Sequence, residues 1–137
     1  MKKLGLFLVC LIILIWGCGY GMYYTKSITP VPSMITSVNV MPGDAGSGKN
    51  EFVTNIFIND LLQTKRFTIT KDTEYVLYLK IDEYKAGYRK YIALSSKIIN
   101  TKTNEMVWGS SISGLSKSYI DEVIKNTVKE LVMEMTK

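Results

Sequence analysis

From residue 36 onward, the hydrophobic positions follow two periods in turn. Residues 36–41 set Val38 and Val40 against Ser37 and Asn39, the two-residue alternation of a half-buried strand. Asn50 is a candidate N-cap for a helix over 51–63, whose stripe of Val53, Ile56, Phe57 and Leu61 is widened by Ile58 and Leu62. A short strand follows at 67–70. Residues 75–84 direct Leu77, Leu79 and Ile81 inward and Tyr78, Lys80, Asp82 and Tyr84 outward. After a turn at 85–89 containing Gly87, residues 91–100 point Ile92, Leu94 and Ile98 inward. The polar stretch 100–105 predicts a second turn, in which Asn104 suits the left-handed conformation. Residues 106–113 return as a strand with Met106, Trp108 and Ile112 on one face. A last helix over 118–135 repeats Ile120, Val123, Ile124, Thr127, Val128, Leu131, Val132 and Met135 at helical spacing. The predicted order is β-α-β-β-β-β-α. This is an α+β fold, a small and mostly antiparallel sheet with both helices on one face.

The N-terminal residues follow a different pattern. Lys2 and Lys3 precede an apolar run of about 13 residues, 4–16, which ends in Gly17-Cys18. A positive segment, an apolar segment and a small residue in that order define a secretory signal over residues 1–17. The cysteine at the cut resembles the lipobox of bacterial lipoproteins. That resemblance implies a lipid-bearing Cys18 as the membrane anchor, with no other cofactor. An uncleaved spanning helix is the competing reading, but spanning takes roughly 20 predominantly apolar residues, and this run fades into Gly17, Gly19 and Gly21. Residues 18–34, with Pro30 and Pro32, read as a lipidated flexible tether, leaving a single domain over 35–137.

Composition narrows the chemistry. Cys10 leaves with the signal and Cys18 carries lipid, so the mature chain has no disulfide and depends on a packed core. The net charge of +5 includes Lys2 and Lys3; what remains is mild and spread along the chain, which argues against a nucleic-acid surface. The absence of histidine removes the commonest general base and most zinc sites. The acidic neighbours Asp82/Glu83 and Asp121/Glu122 diverge on a strand and on a helix respectively. The chain is therefore expected not to be an enzyme. Gly43–Lys49 lies between a strand and a helix and nearly fits a phosphate-binding loop. Asn50, however, stands where the loop needs a hydroxyl for magnesium, and Lys80 interrupts the candidate metal-binding strand.

Recognition of a partner remains. Tyr78, Lys80, Tyr84, Tyr88, Arg89 and Tyr91 gather on or near one hairpin, and tyrosine and arginine are enriched where proteins dock. Residues 60–69, 73–84 and 92–108, the last with Thr103-Asn104-Glu105 followed by Trp108, resemble the CsgG/LpoB group of envelope lipoproteins, which shares a fold with the N-terminal domain of TolB. The resemblance spans residues 36–135. It implies an accessory subunit of secretion or cell-wall synthesis machinery, with envelope proteins as partners and self-association possible. Asn104 replaces the usual turn glycine, Tyr78 replaces a strand glycine, and the long pore-forming insertions of curli-type subunits are missing, so a channel is not implied. Cys18-Gly19-Tyr20 also resembles the start of LptE, the lipoprotein of lipopolysaccharide assembly. Gly19, where an aspartate would signal inner-membrane retention, points to the outer membrane facing the periplasm.

Overall fold

A computed structural model describes residues 21–42 and 49–137. The signal segment, Cys18 and the glycine loop up to Gly48 lie outside the described residues. Six strands form one sheet: β1 (Tyr23–Ser27), β2 (Ser37–Pro42), β3 (Thr68–Ile69), β4 (Tyr75–Ala86), β5 (Lys90–Asn100) and β6 (Glu105–Ser116). Among the described residues two helices, α1 (Asn50–Thr64) and α2 (Ile120–Met135), join the sheet in an α+β fold. The strand order is β1-β6-β5-β4-β2-β3. β1 and the β4-β5-β6 meander are antiparallel, whereas β2 runs parallel to β4 and β3.

Both helices pack on the same face, where their apolar stripes meet the inward side chains of the sheet. Val53, Phe57 and Leu61 from α1, and Val123, Ile124, Val128, Leu131 and Met135 from α2, share one core with Leu77, Leu79, Ile92, Leu94, Ile98, Trp108 and Ile112. The α2 stripe matches the sequence pattern closely; Leu62 of α1 instead faces solvent. Asn50 is the first residue of α1 and not its cap: Lys49 occupies that position and offers no side-chain bond to the helix end. Asn104 takes the left-handed conformation its turn requires, with φ 57°.

Residues 18–34 are not a free tether throughout. Tyr23–Ser27 is an edge strand paired with Leu115–Ser111, so the domain begins before residue 35. Lys26 ties this edge to α2, donating to Glu130 at 2.5 Å and Glu134 at 3.1 Å. These bonds raise the Lys26 pKa, and bonds from Lys137 and Lys26 lower that of Glu134.

Residues 28–35 then cross the end of the sandwich as a bound strap. Val31 is buried and its N–H donates to the Met135 carbonyl at 2.9 Å. The Trp108 indole N–H donates to the Thr29 carbonyl at 2.8 Å. Arg66 closes the strap from the other side, donating to the carbonyls of Ile35 at 2.8 Å and Pro32 at 3.1 Å while its guanidinium lies over Phe67. Hydrogen bonds from a charged donor contribute about 1.5–3 kcal/mol. Arg66→Ala is therefore expected to lower the stability by about 2 kcal/mol, read by urea unfolding, and Arg66→Lys to recover little of it, because an ammonium cannot span both carbonyls. A lysine variant as stable as the parent would contradict the clamp.

Candidate functional site

Two β-bulges redistribute the predicted surface residues. Between Ile81 and Glu83 the β4–β5 register slips by one, so Tyr84 comes to lie opposite the buried Ile92. Tyr84 therefore packs against the core and is not on the outer face as its alternation predicted. A second slip, between Ile98 and Ile99, pairs Ile99 with Met106 and inserts Val107. Met106 is thereby turned out of the core, 65% exposed, whereas Trp108 and Ile112 stay in. A bulge inverts the faces beyond it, which period-two reading cannot detect.

The other candidates fall in two places. Tyr78 and Lys80 lie on the sheet face that neither helix covers, in a groove of about 680 Å³ with Pro42, Ser95, Met106 and Gly109. Tyr78, Lys97 and Gly109 form one row across β4, β5 and β6. The Lys97 ammonium stands 5.7 Å from the centre of the Tyr78 ring, within cation–π range. Gly109 leaves the groove floor without a side chain, and the Met106 sulfur approaches to 3.5 Å of the place a Cβ would take. At the edge of the groove, Lys80 lies 3.9 Å from Asp82, which accepts from the Ser95 hydroxyl at 3.1 Å. The sequence pattern alone does not single out Lys97. Its outward phase was readable from Ile92, Leu94 and Ile98, but its place beside Tyr78 depends on register.

Tyr88, Arg89 and Tyr91 sit at the β4–β5 hairpin, at one end of the sheet. There Lys85 lies 5.9 Å over the Tyr91 ring, and Lys117, just past β6, lies 5.3 Å over the Tyr88 ring. The six predicted residues are thus a groove pair, a hairpin-end trio and one core residue.

Among the described residues, no three acidic, histidine or cysteine side chains come together as a metal site, and no helix is long and apolar enough to cross a membrane. Lys49, the would-be phosphate-loop lysine, lies 3.6 Å from Asp121 and 5.5 Å over the Phe52 ring. The sheet around it is mostly antiparallel with helices on one face, unlike the parallel, doubly covered sheet of nucleotide-binding folds.

No protein-family model matches the sequence, and no curated protein matches it. Solved structures share its fold. PelC of Paraburkholderia phytofirmans, a dodecamer, superposes with a TM-score of 0.64 in one crystal form and 0.62 in another, at 14% identity, covering 85% of this chain and 100% of that one. A Xanthomonas campestris protein of the DUF330 family gives 0.58 at 10% identity, covering 79% of this chain and 90% of that one. Lipoprotein GNA1162 of Neisseria meningitidis gives 0.52 at 11% identity, covering 72% and 96% respectively. The chain therefore shares its fold with a lipoprotein of Neisseria meningitidis.

Proposed function

We propose that this chain is a non-enzymatic lipoprotein of the bacterial envelope, anchored through Cys18, whose uncovered sheet face docks a protein partner of envelope machinery. A second copy of the chain is the partner the reading favours. The observation that carries it is the groove of Tyr78, Lys80, Lys97 and Gly109 on a face that neither helix covers. Aromatic rings beside cations on a shaped, exposed surface suit a protein interface. The likeness in fold to the lipoprotein of Neisseria meningitidis and to dodecameric PelC supports both the anchored and the assembled parts of the reading. An accessory role in secretion or cell-wall synthesis, at the outer membrane facing the periplasm, remains the specific form proposed from the sequence.

Gly109→Gln tests the docking face, because a Cβ there makes only ordinary contact at 3.5 Å and the added amide fills the groove. Stability is expected to stay within about 0.5 kcal/mol of the parent, as for other surface changes. Native mass spectrometry of the membrane-extracted protein is expected to show an assembly for the parent and mostly monomer for the variant. A parent that is monomeric, and that crosslinks to no envelope protein in cells, would rule the reading out.

A further inference from the structure

Strand register fixes which end of the domain meets the anchor. Tyr23, at the start of β1, lies opposite Leu115, which pairs with Tyr91 on its other side; Lys90 pairs with Ser116. The chain therefore enters the domain at the end carrying the β4–β5 hairpin. Met22 is already seated on the core side, against the position of Gly114. Cys18 is three residues before Gly21, so an extended chain puts at most about 11 Å between them. An anchor on so short a lead holds this end of the sheet at the bilayer.

The chemistry of that end suits a lipid surface. Tyr23, Tyr88 and Tyr119 are 71%, 77% and 83% exposed, although large aromatic side chains usually find cover. Rings of this kind settle in the headgroup layer. Arg89, Lys90 and Lys117 form no ion pair among the described residues. Of the acids at this end, Glu83 is paired with Lys85 at 2.7 Å and Asp121 faces Lys49, while Glu122, which accepts from the Ser118 hydroxyl, keeps its charge. The opposite end, at the 101–104 turn, lies one strand length away, roughly 35 Å for a strand of this size.

We infer that Tyr23, Tyr88, Arg89, Lys90, Lys117 and Tyr119 form a membrane-contacting surface that recognises anionic phospholipid headgroups and stands the sheet end-on at the bilayer. This rests on the lipid anchor at Cys18 and extends it. It assigns the hairpin-end cations to lipid and leaves the groove to protein.

The full lipidated chain is reconstituted into vesicles of phosphatidylethanolamine and phosphatidylglycerol carrying a headgroup-level quencher. A fluorophore is placed at Gly87→Cys, where a side chain meets open space, or at Thr103→Cys in the far turn. Quenching several-fold stronger at Gly87 than at Thr103 is expected. That contrast should shrink when phosphatidylcholine replaces the anionic lipid, and equally in the triple variant Arg89→Gln, Lys90→Gln, Lys117→Gln. Intact mass separates the two ways of failing. An acylated, vesicle-bound protein with equal quenching at both sites overturns the orientation, and an undiminished contrast on neutral vesicles overturns the headgroup recognition. A chain without acyl groups that stays off the vesicles overturns the anchor, and this inference with it.

Discussion

Gly114→Ala is expected to lower the melting temperature by roughly 5–10 °C, a cost of about 2 kcal/mol that belongs to overpacking between sheet and helix. Gly114 lies on the core face of β6, opposite Ile92 and Tyr24. A Cβ there would come within 2.0 Å of the Thr127 hydroxyl oxygen, 3.2 Å of the Thr127 Cβ and 3.3 Å of the Met22 terminal carbon. The hydroxyl is not free to turn aside without loss, because it donates to the Val123 carbonyl at 2.7 Å inside a fully buried helix face. No described glycine has a positive φ, so Gly114 is required for closeness and not for backbone shape. Thr127→Ala removes the nearest atom. The double variant Gly114→Ala, Thr127→Ala is therefore expected to be more stable than the sum of the single changes predicts, a coupling that a double-mutant cycle reads directly. Strict additivity, or an unchanged melting temperature for Gly114→Ala, would show that α2 does not rest on Gly114.

Much of this architecture was legible in the pattern of side chains. The α2 stripe and the inward rows Leu77-Leu79-Ile81 and Ile92-Leu94-Ile98 are repeated faithfully because each buries a continuous face, and a slip of one residue would expose all of it. What escaped depended on distant partners. Tyr23–Ser27 carries no strong alternation and sits between glycines and prolines; it is a strand because β6 offers an edge and because Lys26 reaches Glu130 and Glu134. The strap at 28–35 reads as a linker in sequence for the same reason, since Arg66, Trp108 and Met135, which hold it, are far along the chain. Alternation alone puts Tyr84 and Met106 on the wrong faces because a bulge leaves no composition signal. The candidate site was correspondingly half legible: Tyr78 and Lys80 lie in the groove, but Lys97 and Gly109 join them only through register.

Cys18→Ser carries the other large expected effect, the loss of membrane attachment through lipid. A serine hydroxyl is not the thiol nucleophile that takes up a diacylglyceryl group, so the variant is expected to carry no acyl chain. The energetics make this close to all-or-none. Each buried methylene contributes about 0.8 kcal/mol, so a single chain holds marginally, whereas two or more hold effectively for good. On the inference above, the exposed tyrosines and the cations of the hairpin end would add headgroup affinity, but not enough to replace acyl chains. In washed membranes the parent is expected to remain bound and the acyl-free mature variant to be released.

Lipid anchoring is read directly from the mass of the N-terminal peptide of protein extracted out of membranes. The chain is expected to begin at Cys18 and to bear a thioether-linked diacylglycerol. A Cys18 thiol left unmodified in membrane-bound protein, whether or not residues 1–17 have been removed, would contradict it.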